Sequence, residues 1–182
     1  MGRDKALVEL TGRPLVAWAL NALRGAGLTA RIAGARADLS AFAAVVPDEA
    51  VDAGPLGGVC SALEVAEAET AVFLPVDLPL IPSGLVRFLV EHARVTGAAV
   101  TVASLNGFAQ TFPAAVRRDA LPVLRAELDA GKLGAFAAFV SAGVRIVPVE
   151  MAAVQGWPAY RWFWNMNTPE DLTRVEAVLG AG

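Results

Sequence analysis

Ala71-Val72-Phe73-Leu74-Pro75-Val76-Asp77-Leu78-Pro79 is the stretch on which the reading of this chain turns. Ala71 to Val76 is a compact apolar run, the pattern of a strand buried inside an α/β protein. Asp77 closes the run, and the proline of Val-Asp-Leu-Pro redirects the chain after it. In an open α/β sheet, ligands sit beyond the carboxyl ends of the strands, where the connecting loops gather. A carboxylate there is placed to hold Mg2+ against phosphate oxygens. The plainer alternative is an aspartate that satisfies the amides of its own turn.

Working outward, strand and helix patterns alternate. Pro14 to Arg24 reads as a helix with Gly25 as its stop, and Leu15, Ala19, Leu20 and Leu23 line one face. Ala30 to Ala33 is a short strand candidate, and Asp38 to Ala44 a short helix capped by Asp38. A helix is expected from Val59 to about Ala68, another from Ser83 to Val95, and a strand from Ala98 to Ala103. Phe108 to Val116 looks extended, Asp119 to Ala130 helical despite Pro122, and Val144 to Val149 a strand. Thr168 to Leu179 has the clearest helix signature: Thr168 caps it, Pro169 takes the first position, and Asp171 stands at the capping-box site. This alternation predicts one α/β domain over 1–182 with a mainly parallel sheet.

Composition narrows the function classes. The 182 residues suffice for one sizeable core, and no apolar run is long enough to span a membrane. The net charge of -3 argues against a nucleic-acid binder held by phosphate attraction. The single cysteine, Cys60, excludes an internal disulfide and a cysteine-based zinc site; it reads as a small buried residue. With no leader pattern at the amino end, a cytoplasmic enzyme is the expectation.

Three further blocks carry chemistry. Met1 to Ala6, with Lys5, reads as the end of a phosphate-binding turn that runs into a helix. Lys5 could set its ammonium on a triphosphate, or be a solvated surface lysine. Gly54-Pro55-Leu56-Gly57-Gly58 could approach a base or ribose closely through its backbone, or be an ordinary turn into a helix. Asn165 and Asn167 precede the last helix, and alternation puts both side chains on one face of an extended segment. They could equally be a polar lead-in to that helix.

In this order, these blocks and Leu74 to Pro79 resemble the molybdenum cofactor guanylyltransferases of the nucleotidyltransferase superfamily, with Gln110 to Pro113 as a weaker match. The resemblance implies a Rossmann-like, three-layer fold and transfer of GMP from Mg·GTP to a phosphorylated acceptor, with release of pyrophosphate. It implies a molybdopterin-type acceptor, and contact with other proteins of molybdenum cofactor synthesis. It assigns Lys5 and Asp77 as catalytic residues, with Asp77 on Mg2+. Lys5, Asp48, Gly54, Pro55, Leu56, Gly57 and Gly58 go to the nucleotide, and Asn165 and Asn167 to the acceptor side.

The family pattern places a strand and a Leu-Ala-Gly-Gly-x-Ser-x-Arg stretch before the Met-Gly found here. A start upstream of Met1 is therefore expected, and without that strand its neighbours would have open edges. CTP or a sugar phosphate as substrate, and a binding protein without catalysis, remain as alternatives. The aromatic residues from Trp157 to Trp164, with Tyr160, Trp162 and Phe163, could cover a flat pterin or simply pack. His92 reads as a solvated residue on a surface helix.

Overall fold

The computed structural model describes residues 4–34, 36–47, 53–150, 153–154 and 157–180. Near its start, Thr11 and Gly12 both adopt positive φ (50° and 74°), the geometry of the tight turn that joins two antiparallel strands. They connect β1 (Glu9–Leu10) to β2 (Arg13–Pro14). Helix α1 (Leu15–Gly25) follows, with Leu15, Val16, Ala19, Leu20, Ala22 and Leu23 buried along one stripe. β3 (Ile32–Ala33) and β4 (Val45–Val46) pair in parallel.

The segment between β3 and β4 departs from expectation. It is a 3-10 turn over Ala37–Ala41 rather than a helix capped by Asp38. The Asp38 carboxylate accepts from Arg36, at 2.9 Å from Nε and 2.6 Å from Nη2.

Next come α2 (Gly54–Glu64), β5 (Thr70–Phe73), α3 (Ser83–Thr96), β6 (Val100–Leu105) and β7 (Phe108–Arg117). The chain continues through α4 (Leu121–Asp129), α5 (Ala135–Ala142), β8 (Val144–Pro148), β9 (Ala153–Val154) and β10 (Trp157–Pro158). It closes with α6 (Ala159–Trp162) and α7 (Pro169–Gly180). Pro122 falls in the first turn of α4, where a missing amide does no harm.

The main sheet has the order β5-β7-β6-β8. β5, β6 and β8 run in one direction, and β7 is reversed between β5 and β6. The sheet is therefore mixed. Asn106 and Gly107, at φ 51° and 79°, turn β6 straight back into β7, and so short a connection can join only antiparallel strands.

Side chains alternate across this sheet. Val100, Val102, Ala114 and Val116 face α2, α4 and α5, packing on Leu56, Val59, Leu63, Leu124 and Phe139. Ala103 and Ala115 face the opposite layer, with Leu85, Val86 and Leu89 of α3, Leu23 of α1 and Trp162 of α6. The result is a three-layer α/β arrangement. A third cluster of Leu10, Leu15, Leu80, Met166 and Val175 binds the β1–β2 hairpin and α7 to the loop after β5.

Among the described residues, the outer edge of β5 and the free edge of β3 have no strand partner. A groove of about 710 Å3 runs along them, walled by Ala19, Leu20, Ile32, Val46 and Val72. No helix of the described residues is long and apolar enough to cross a membrane.

Phe139 is fully buried, with its ring edge-on to Phe112 at 5.9 Å. Phe139→Ala should lower stability by roughly 3–5 kcal/mol in urea titrations, from lost burial and the cavity left behind. Phe108, at the tip of the β6–β7 hairpin, is 74% exposed; its replacement by Ala should change stability by no more than about 0.5 kcal/mol.

Candidate active site

Asp77 is held from two sides. Leu78, Leu80 and Ile81, which follow it, are all buried and fix the loop beyond β5. The backbone oxygen of Asp77 accepts a 2.9 Å hydrogen bond from the amide of Met166, itself fully buried. With Met166 turned inward, its neighbours Asn165 and Asn167 are exposed, so the alternation read from the sequence is present in the structure.

Lys5 reaches this place from the other end of the chain. It opens a 3-10 turn, Lys5–Leu7, whose cap is Asp4: Asp4 Oδ1 accepts from the amide of Ala6 at 3.2 Å. Ala6 is buried with Val16, Leu20 and Leu39. From this anchored turn the Lys5 ammonium lies 3.4 Å from Asp77 Oδ2 and donates to Asn167 Oδ1 at 2.6 Å. The pair is half open to solvent, with side-chain exposures of 41% for Lys5 and 24% for Asp77. Ion pairs this accessible contribute about 0.2–1 kcal/mol. The lysine is therefore held loosely enough to exchange its carboxylate for another anion.

Asn167 is fixed in turn by the cap of α7. Thr168 Oγ1 accepts from the Asp171 amide at 3.2 Å. Asp171 Oδ2 accepts from the amides of Thr168 at 3.0 Å and Asn167 at 3.1 Å. This is the reciprocal capping box expected from Thr168 and Asp171. The Asn167 amide, followed by the Thr168 hydroxyl and amide, holds the Asp171 carboxyl below the ordinary aspartate range.

A cavity of about 670 Å3 opens beside Asp77. Its walls include Gly54, Pro55 and Gly58 of α2, Gln110 to Phe112 of β7, and Asn165 and Phe163. The glycine run is not a loop ahead of a helix, as expected, but the first turn of α2 itself. Gly54 opens it at φ +61°, a conformation that favours glycine. The amino end of α2, with its partial positive charge, thus borders the cavity. Leu56 is a correction to the expected nucleotide contacts, for its side chain is fully buried in the core cluster against Val102 and Phe139. Gly57 is also buried and outside the cavity wall, because the helix turns both residues inward. Asp48, expected near the base, lies outside the described residues, as does Asp52.

The aromatic stretch divides by position. Trp162 is core, and Phe163 lines the cavity. Trp164 lies under the Arg174 guanidinium at 4.5 Å from its ring centre, with Arg161 on the same ring at 6.0 Å. His92 is half-buried rather than solvated, packed against Phe88 at 5.8 Å. Cys60 is buried in α2, as expected. Sequence reasoning missed Phe73, Leu74 and Ala33 as cavity walls; they carry no signal beyond being apolar.

Among the described residues no group of three or more His, Cys, Asp and Glu side chains could hold a metal ion. A lone carboxylate suits a divalent ion of the Mg2+ type, which takes one or two protein carboxylates and completes its shell with water and substrate phosphates. The Asp77 carboxylate and the amino end of α2 thus border one cavity in a three-layer fold, with the Lys5 ammonium paired to that carboxylate.

Comparison with known proteins supplies the class. Residues 1–146 match the MobA-like NTP transferase domain. A molybdenum cofactor guanylyltransferase of Vibrio atlanticus is 33% identical over 176 residues, which are 95% of this chain and 87% of that protein. One from Cereibacter sphaeroides is 33% identical over 186 residues, covering 98% of this chain and 89% of the relative. Among solved structures, molybdopterin-guanine dinucleotide biosynthesis protein A from Archaeoglobus fulgidus superposes with a TM-score of 0.81 at 20% identity, over 100% of this chain and 93% of that one. A 2-C-methyl-D-erythritol 4-phosphate cytidylyltransferase from Thermus thermophilus has the same fold, with a TM-score of 0.71 at 18% identity, covering 97% and 94%. The chain belongs to the MobA-like NTP transferase family and is a nucleotidyltransferase by that membership.

Because the Asp171 pKa is lowered by folding, its cap stabilises the fold above the ordinary aspartate range and is lost as pH falls through the depressed value. Wild-type thermal midpoints should therefore drop more steeply than those of Asp171→Asn below about pH 4. Parallel slopes in melts from pH 6 to pH 3 would remove Asp171 from that account.

Proposed function

We propose that this protein transfers GMP from Mg·GTP to the terminal phosphate of a molybdopterin-type acceptor and releases pyrophosphate. The observation that carries the proposal is the convergence of Lys5, Asp77 and Asn167 beside a cavity bordered by the first turn of α2. The guanylyltransferase relatives, similar over nearly the whole chain, supply the choice of guanine and acceptor.

In this reading an acceptor phosphate oxygen attacks the α-phosphorus, and the bond from that phosphorus to the pyrophosphate oxygen breaks. The attacking oxygen is already ionised, so the step needs no protein base. What the protein must do is bring two polyanions into line and offset their repulsion. Lys5 moves from Asp77 to the triphosphate, where its ammonium follows the charge gathering on the departing pyrophosphate. Asp77 would hold Mg2+, which when bound neutralises charge on the phosphates. Gly54, Pro55 and Gly58 present helix-end backbone to the base and ribose, while Leu56 and Gly57 contribute through the shape of the turn. Asn165 and Asn167 orient the acceptor, with Phe163 as the apolar wall beside it. The cavity volume is within the range of small-molecule sites.

Asp77→Asn keeps the side chain's size and the backbone bond from Met166 while removing its charge. Pyrophosphate release from Mg·GTP with acceptor should fall by roughly 100-fold or more, with an unchanged thermal midpoint. Wild-type turnover with CTP in place of GTP would overturn the guanine assignment. Full activity in Asp77→Asn would remove the metal role from this residue.

A further inference from the structure

We infer that Arg36 is a positioning residue that sets Lys5 in place through Asp4; the inference rests on the nucleotidyl-transfer reading above. Arg36 lies just past β3, outside every block that pointed to the site. Its Nη2 pairs closely with Asp4 Oδ2, while Nε and Nη2 both engage the Asp38 carboxylate. Asp4 is thereby tied at both oxygens: Oδ2 to the guanidinium, Oδ1 to the Ala6 amide. The Arg36 hydrogen bond is the main cause that holds the Asp4 carboxyl below its ordinary range. The residue next to Asp4 is Lys5.

A lysine has a long, flexible stem with a large rotamer entropy. Its ammonium can find a phosphate reproducibly only if its backbone is fixed. On one side Lys5 is fixed by Ala6, buried against α1. On the other side the described fastener is Asp4, and the Arg36 fork spans Asp4 and Asp38. The whole group is partly solvent-exposed, so the pairs contribute little to overall stability. Their effect is local: loss of Arg36 frees the start of the Lys5–Leu7 turn and leaves the core intact.

The test uses the fact that the chain has two lysines, Lys5 and Lys132. Lys132 sits after α4, paired with Glu127 at 3.0 Å, and serves as an internal reference. Brief amine acylation of the full chain without nucleotide, read by mass spectrometry, gives the Lys5 to Lys132 labelling ratio. Arg36→Ala should raise that ratio several-fold with no shift in thermal midpoint, and Arg36→Lys should raise it less. Asp38→Asn, which leaves the Asp4 pair in place, should leave it near wild type.

In turnover, Arg36→Ala should raise KM for Mg·GTP about tenfold and leave KM for the acceptor unchanged. In a Lys5→Ala background the same substitution should have no further effect. An unmoved labelling ratio overturns the inference, as do losses from Arg36→Ala and Lys5→Ala that multiply independently. A wild-type protein inactive with GTP would instead count against the functional reading, while the labelling ratio, which needs no substrate, would still decide the role of Arg36.

Discussion

The hydrogen bond from the Met166 amide to the Asp77 carbonyl is the constraint on which the site depends. It joins the segment before the last helix to the loop beyond β5, two regions that no strand pairing connects. Met166 is buried with Leu10, Leu15, Leu80 and Val175, so the bond is backed by apolar packing from three parts of the chain. Once Met166 points inward, Asn165 and Asn167 must point out beside Asp77. The Lys5 ammonium then bridges Asp77 and Asn167, and residues far apart in sequence share one charged centre.

That centre is assembled from weak, exchangeable contacts on rigid supports. The Lys5–Asp77 pair is open enough to be given up to the phosphates of the proposed reaction, while the backbone that carries Lys5 is anchored by buried Ala6. Ala6 is buried, Asp4 is tied at both oxygens, and the capping box of α7 fixes the backbone of Asn167. The proposed reaction brings two polyanions together, and tight internal ion pairs would compete with them.

Much of this was legible in the sequence where a local rule decides the outcome. The Thr168-Pro169-Glu170-Asp171 cap and the α1 stripe each follow from propensity and periodicity, and so does the β5 strand, although Thr70–Phe73 is half-buried at the edge of the sheet and not enclosed as expected. The shared face of Asn165 and Asn167 follows in the same way. Other features lay beyond local rules. The glycine run became the first turn of α2 because Leu56 is drawn into the core against Phe139, a tertiary demand that no glycine pattern reveals. The reversal of β7 has a signal that was overlooked, the Asn106-Gly107 turn between two apolar strands. Helix α5 lacks a polar face, so periodicity did not mark it; only Gly134 and Gly143 bracket it. Arg36 could not be found from sequence at all, since its partner Asp4 is 32 residues away.

The central claim is that Lys5, Asp77 and the amino end of α2 enclose one metal–nucleotide complex. A crystal structure of the protein with Mn2+ and a non-hydrolysable GTP analogue, with anomalous data for manganese, tests it most directly. The account predicts a manganese peak in coordination range of the Asp77 carboxylate, Lys5 turned from Asp77 onto the phosphates, and guanine beside Gly54 to Gly58. A manganese peak away from Asp77, or a base bound elsewhere while Lys5 keeps its contacts to Asp77 and Asn167, would contradict it.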